Sequence, residues 1–312
     1  MNDMQAWLSR LGYTCSLQVA SADASFRSYY RLIENEKTFV VMDSSLQKES
    51  LTPFVDITKR LLAVSVHVPE IFAANLQKGF LLLEDLGSRD LLQVLDESNA
   101  EYYYSEAIDE IIKMQCAKTE GLPLYDAAFL RFEMALMREW YLEKYLGKHL
   151  GSQEKEIISD AIDQIVEVVL SQPQGLFVHR DFHSRNIMLT PQDEIAVIDY
   201  QDARVGAVTY DLVSLLRDLY IAFDSAMVER LALQFRDKKG LDADNETFLR
   251  WFDFTGLQRH IKVLGIFARL HLRDGKDGYL KDLPQTLKYI IEIGSRYEET
   301  RALVTLLKER QE

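Results

Sequence analysis

One run constrains this chain more than any other. It is His179-Arg180-Asp181-Phe182-His183-Ser184-Arg185-Asn186-Ile187-Met188-Leu189, followed by Ala196-Val197-Ile198-Asp199. Phe177-Val178, Ile187-Met188-Leu189 and Ile195-Ala196-Val197-Ile198 are short apolar runs of the kind that form buried strands. Thr190-Pro191-Gln192-Asp193-Glu194 has the composition of a turn. Strand, turn and strand in that order predict a β-hairpin, which returns Asp199 to the side of Asn186.

The residue types in this run suit one kind of chemistry. A hydroxyl that attacks phosphorus needs a carboxylate to take its proton, and Asp181 is placed for that role. Mg²⁺ prefers oxygen ligands and keeps phosphate oxygens and waters in its shell. The amide of Asn186 and the carboxylate of Asp199 meet that preference. A catalytic Asp, an Asn five positions on and a metal-binding Asp at the next loop are the parts protein kinases use for phosphoryl transfer. The competing reading is a solvated loop whose Asp and Asn only form turns.

Composition narrows the rest. The chain has 312 residues, enough for one large domain or two modest ones, and 47% are hydrophobic. Its net charge of -13 argues against nucleic acid as a partner, because phosphate backbones need a basic surface. It leaves ATP open, since a nucleotide is held by local loops and Mg²⁺. Two cysteines, Cys15 and Cys116, make neither a disulfide framework nor a metal site. There is no signal peptide at the N-terminus and no apolar run of membrane-spanning length, so a cytoplasmic protein without a membrane partner is expected.

Along the chain, residues 1–11 suggest a helix ended by Gly12, residues 25–33 and 38–42 two strands about a polar turn, and residues 53–64 a helix. Residues 68–72 are extended, and residues 79–87 form a strand running into a turn. Helical spacing covers 90–95, 100–118, 129–147 and 152–170, and then 211–216 and 251–272. The expected architecture is α+β and bilobal. Residues 1–87 make a small antiparallel nucleotide-binding lobe, and residues 88–312 make a larger, mainly helical lobe with the catalytic loop and acceptor site.

The loop, Ile198-Asp199-Tyr200-Gln201-Asp202-Ala203, and Gly206 with Tyr210-Asp211-Leu212 resemble the aminoglycoside phosphotransferase/choline kinase family, which has a protein-kinase-like fold. Residues 24–31, 80–87, 210–218 and 258–270 are similar to one subgroup, kinases of the anomeric hydroxyl of N-acetylmuramate and N-acetylglucosamine in bacterial cell-wall recycling. The resemblance implies Asp181 as catalytic base and Asn186 and Asp199 as Mg²⁺ ligands. It also implies ATP as phosphoryl donor, an amino sugar as acceptor, and a monomer. Glu84 and Leu86 fall where a hinge backbone would hydrogen-bond adenine. Ser25, Phe26, Arg27 and Ser28 fall at the phosphate loop, where backbone N–H groups cradle phosphates.

Some features depart from that pattern. The third strand of such a lobe carries a Lys that grips the α/β-phosphates, yet Met42 stands there. Either Arg27, Arg31 or Lys37 substitutes, or metal and backbone contacts suffice. Glu49 and Asp56 are the candidates for the acidic partner on the following helix. The phosphate loop has no glycine. Arg259, His260 and Lys262 lie on an otherwise apolar helix, and Arg259 and Lys262 share a face that suggests a wall of the acceptor site. His260 is either a substrate contact or a core histidine. Arg185 and Asp202 are further candidates for contact with sugar or phosphate, and Asp202 is equally a turn residue. His183 either orients the loop or binds substrate, and Asp211 is expected to cap its own helix. Two rivals remain: an aminoglycoside or choline-type kinase, and a non-catalytic nucleotide-binding regulator.

Overall fold

In the computed structural model the described residues are 2–14, 16–22, 27–35 and 37–311. The first part of the chain runs α1 (Asn2–Arg10), β1 (Leu17–Ala22), β2 (Ser28–Glu34), β3 (Lys37–Asp43), α2 (Leu51–Leu62), β4 (Ile71–Asn75), β5 (Phe80–Glu84) and β6 (Arg89–Asp90). Then come α3 (Ala100–Met114), α4 (Ala127–Leu136), a π-helix (Met137–Tyr145) and α5 (Ser152–Ser171). Short strands β7 (Leu176–Val178), β8 (Ile187–Leu189), β9 (Ile195–Val197) and β10 (Arg204–Gly206) precede α6 (Tyr210–Leu216) and α7 (Ser225–Lys239). The chain ends in α8 (Asn245–Asp274), α9 (Leu283–Gly294) and α10 (Glu298–Glu309).

These elements form two compact units. The first holds residues 1–94, 116–118 and 185–203. Its main sheet is antiparallel with strand order β1-β2-β3-β5-β4. Side chains alternate across it. Leu32, Val41, Phe80 and Leu82 pack with Met4, Trp7 and Leu8 of α1 into one apolar cluster. The opposite face carries Tyr29, Arg31, Val40 and Leu83, in the register Tyr29↔Met42, Arg31↔Val40 and Val40↔Leu83. The expected hairpin is present: β8 and β9 pair through Ile187↔Val197 and Leu189↔Ile195, with β6 on the outer side.

The second unit holds residues 95–115, 119–184 and 204–312. Its axis is α8, which packs against α4, the π-helix, α5, α6, α7 and α9. That explains why α8 is apolar nearly all round, and why Arg259, His260 and Lys262 are buried with it. Strands β7 and β10 pair and hold the chain just before His179.

The structure differs from the sequence expectation in several places. β1 was not anticipated; as an edge strand it leaves Val19 73% exposed, and its second half, Ala20-Ser21-Ala22, carries no large apolar residue. Residues 90–95 hold the end of β6 and a 3₁₀ turn over Leu91–Gln93 instead of a helix; the Asp90 carboxylate caps that turn, accepting from Gln93 N at 3.0 Å. The helix expected over 129–147 changes from α to π at Met137. The strand placed at 25–33 begins, among the described residues, at Ser28.

Candidate active site

In the second unit the chain leaves β7 into a loop held by two buried carboxylates. The backbone N–H groups of His179 and Arg180 donate to Asp211 at 2.8 and 3.0 Å. Ser184 donates to Asp218 through its N–H at 2.9 Å and its Oγ at 2.5 Å. Asp211 opens α6 and Asp218 follows it, so one short helix braces both ends of the run 179–184. Between the braces Arg180 takes a left-handed conformation (φ 82°), and the Asp181 side chain is 42% exposed. Asp211 therefore caps the loop and not, as its position suggested, its own helix. Burial raises its pKa above the usual carboxylate value.

The charges around Asp181 come from α8. Arg259 Nη2 lies 3.9 Å from Asp181 Oδ1 and donates to Ser214 Oγ at 2.7 Å. Lys262 Nζ donates to the Tyr210 hydroxyl at 3.1 Å and stands 3.8 Å from Glu133 Oε1. Glu133 also accepts from Arg180 Nη2 at 2.9 Å and from the Tyr125 hydroxyl. Burial alone would raise the Asp181 pKa. Lys262, then Arg259, with His183 and Arg180, outweigh it and hold the carboxyl well below its usual range. Burial would discharge Lys262, but Glu133, Tyr210 and Asp181 hold its pKa above the usual lysine value.

Both Arg259 and Lys262 are nearly inaccessible, at 2% and 3% exposure. Their charge reaches the loop from behind Asp181. His260 is equally enclosed. Its Nε2 donates to the Arg217 carbonyl at 3.2 Å, and its ring stacks on Tyr289 at 4.7 Å. Burial, with Arg259 and Arg217 nearby, pushes its pKa down to about 3. His183 lies edge-on to Tyr220 at 5.2 Å, and burial brings its pKa down to about 4 against the pull of Asp218.

In the first unit, the hairpin brings Asn186 Nδ2 within 3.5 Å of Asp199 Oδ2. The Asn186 carbonyl accepts from Ile198 N at 3.0 Å, and Gln201 Nε2 donates to Asp199 Oδ1 at 2.8 Å. Asp199 takes a left-handed conformation (φ 65°) and is exposed. Arg185, Asn186 and Asp199 line a cavity of about 370 Å³ together with Glu84, Leu86 and Arg31. That volume is in the range of small-molecule sites. A hollow of about 570 Å³ beside Tyr141 and Leu287 in the second unit is lined by none of the candidate residues.

Arg31 is committed inside the cavity. It makes a two-pronged ion pair with Asp85 at 2.7 and 2.9 Å and donates to the Gly87 carbonyl at 3.0 Å. Glu84 ends β5. Its N–H donates to the Glu70 carbonyl, and its carboxylate meets His67 Nε2 at 3.1 Å. Leu86 is buried. Met42 is fully buried, and Lys37 is exposed opposite Glu34 at the far end of β3. Arg27 is 8% exposed, one residue before β2, and interacts with Tyr200 electrostatically. Ser28 is exposed at the start of β2, and Asp202 is exposed in the turn after Asp199. Ser25 and Phe26 lie outside the described residues. Asn186 and Asp199 form a hard-oxygen pair that fits Mg²⁺, whose remaining ligands would come from phosphate and water. Among the described residues, no group of three or more His, Cys, Asp or Glu side chains is arranged to hold a metal by itself.

The profile of the phosphotransferase enzyme family matches residues 16–251. This chain belongs to that family. Curated relatives agree over most of its length. An N-acetylmuramate/N-acetylglucosamine kinase of Pseudomonas aeruginosa is 40% identical over 92% of this chain and 86% of its own. One of Neisseria meningitidis is 38% identical over 94% of this chain and 90% of its own. Among solved structures, a choline kinase from Streptococcus pneumoniae superposes with a TM-score of 0.66 at 12% identity, covering 93% of this chain and 98% of that one. An ADP-bound aminoglycoside phosphotransferase gives 0.65 at 15% identity with the same coverage. At such identities the likeness shows the fold alone, a kinase-like pairing of an antiparallel sheet with a mainly helical region.

Several residues of this phosphotransferase were not singled out in the sequence. Glu133 ties Arg180, Lys262 and Tyr125 together, and Asp218 holds Ser184. Glu133 did leave a signal, a carboxylate among the buried Leu130, Met134 and Leu136 of α4. A charge on an apolar helix face needs a buried partner.

Proposed function

We propose that this phosphotransferase is a sugar kinase that transfers the γ-phosphoryl group of ATP to the anomeric hydroxyl of N-acetylmuramate or N-acetylglucosamine, in the peptidoglycan recycling that the family resemblance implies. The observation that carries this reading is the 38–40% identity, over more than nine-tenths of the chain, to relatives described as kinases of these sugars. Use of cytoplasmic ATP places the reaction in the cytoplasm, and a monomer suffices for it.

Asp181 orients the attacking hydroxyl and takes its proton. Because Lys262 and Arg259 keep it ionised, Asp181 is a weak base. It works mainly by aligning the hydroxyl and accepts the proton late, as a loose phosphoryl-transfer transition state allows. Asn186 and Asp199 would hold Mg²⁺, which would neutralise phosphate charge as it builds. Arg27 takes the role of the missing strand lysine. It stands one residue before β2 and interacts electrostatically with Tyr200, which lines the cavity, while Arg31 is held by Asp85. The backbone at Glu84 and Leu86 receives the adenine, and Ser25, Phe26 and Ser28 complete the phosphate loop. Arg185 and Asp202 face the phosphate or the sugar. Arg259 acts through Asp181, and His260 supports α8.

The test is phosphate transfer from ATP to N-acetylmuramate, N-acetylglucosamine, an aminoglycoside and choline in parallel. The two sugars should be phosphorylated, and Asp181→Ala should lose about a thousandfold in kcat, the scale of positioned proton transfer. Turnover of choline or the aminoglycoside alone, or a fully active Asp181→Ala protein, overturns the reading.

A further inference from the structure

The loop carrying Asp199 is anchored at its very next residue. Tyr200 is fully buried, and its hydroxyl lies 2.8 Å from Thr58 Oγ1 on α2. Thr58 has one hydroxyl proton, and Thr58 Oγ1 already donates to the Phe54 carbonyl at 2.8 Å. Tyr200 must therefore be the donor to Thr58. The Tyr200 ring also packs on Phe54 with centroids 5.0 Å apart. The left-handed turn at Asp199 (φ 65°) lets one residue stand exposed while the next is sunk in the core.

Such a link has a reason to exist here. Where strand β3 carries a lysine, that lysine can pair with an acid on the following helix and tie the helix to the phosphate site. In this chain Met42 cannot do so, and Asp56 of α2 is paired with Arg60 at 2.8 Å. Helix α2 instead reaches the site through Phe54 and Thr58.

We propose that the Tyr200–Thr58 hydroxyl pair is a positioning device that fixes the Asp199 carboxylate for metal by tying its loop to α2. The inference rests on the reading of Asn186 and Asp199 as the metal-holding pair. Tyr200 does not touch the metal; it limits where Asp199 can go. Tyr200→Phe removes only the donated hydrogen bond. Thr58 keeps its bond to Phe54, so the variant leaves no buried donor unpaired and folds as the parent does. Thr58→Val strands the tyrosine hydroxyl and is the less stable of the two.

The experiment measures ADP binding by calorimetry with and without Mn²⁺, and thermal unfolding, for the parent, Tyr200→Phe, Thr58→Val and the double variant. The parent should bind Mn²⁺–ADP more tightly than ADP. Tyr200→Phe should weaken Mn²⁺–ADP about five- to tenfold, the worth of one hydrogen bond, and leave metal-free ADP unchanged. The double variant should be no weaker than Thr58→Val alone. A parent that gains nothing from Mn²⁺ overturns the metal-holding pair and the tether with it. A metal-responsive parent whose Tyr200→Phe variant binds Mn²⁺–ADP equally well, or loses ADP and Mn²⁺–ADP alike, overturns the tether only.

Discussion

A carboxylate that serves as a catalytic base usually has its pKa moved towards the working pH, and Asp181 is moved the other way. Two buried cations behind it, Lys262 and Arg259, outweigh burial and hold it ionised. The sign follows: its folded value is depressed, so the charged form is present at every pH above about 4, the ordinary carboxylate value. With both substrates saturating, kcat should therefore show no acid-side loss from Asp181 between about pH 8 and pH 5. An inflection near pH 6 that disappears in Lys262→Met would contradict the placement of these charges. The approach of Asp199 to Asn186 was readable because a local hairpin sets it. The cations behind Asp181 were visible as residues, but not as its electrostatic support. Lys262 reaches it only through the packing of α8 in the second unit, and a helix face read alone suggested an open wall.

At the level of elements, the hairpin of β8 and β9 and the strands at 38–42 and 80–84 followed from their apolar runs, and helices α2, α3 and α5 from periodicity, because each of those helices has an apolar side to bury. The π-helix did not. It begins at Met137, where the backbone of α8 comes in at Gly265. A Cβ at Gly265 would stand 2.6 Å from Leu136 Cβ and overlap the backbone of Leu136 and Met137. Gly265 lies in a helix, where alanine would normally gain about 1 kcal/mol. Here the obstacle is backbone, which cannot swing aside, so overpacking outweighs propensity. Gly265→Ala should destabilise the protein by about 3 kcal/mol, towards the upper end of overpacking costs, as measured by denaturant midpoint with unchanged slope. A variant as stable as the parent would mean that α8 and the π-helix separate easily.

For the whole molecule, net charge and buried histidine pull stability in opposite directions as pH falls. The chain carries a formal charge of -13 at pH 7, and acidification towards its isoelectric point near 5.0 relieves self-repulsion. His260 works the other way. Its folded pKa of about 3 lies below the ordinary value of 6.5, so below pH 6.5 the unfolded chain binds a proton that the folded chain refuses. Stability contributed by its neutral state is thus intact above pH 6.5 and is lost as pH falls towards the folded value. By pH 5 the loss reaches about 2 kcal/mol, or roughly 4 °C in the melting temperature. Asp181 adds nothing in that window, because its contribution fades only below about pH 4. His260→Gln keeps a donor for the Arg217 carbonyl and removes the titration. It should be less stable than the parent at pH 7.5, having lost the stack on Tyr289, yet lose less on going to pH 5. Calorimetric melting of both proteins at the two pH values decides it. Equal losses in both would assign the acid sensitivity elsewhere. A parent that gains stability on acidification would show that relief of charge repulsion prevails over the buried imidazole.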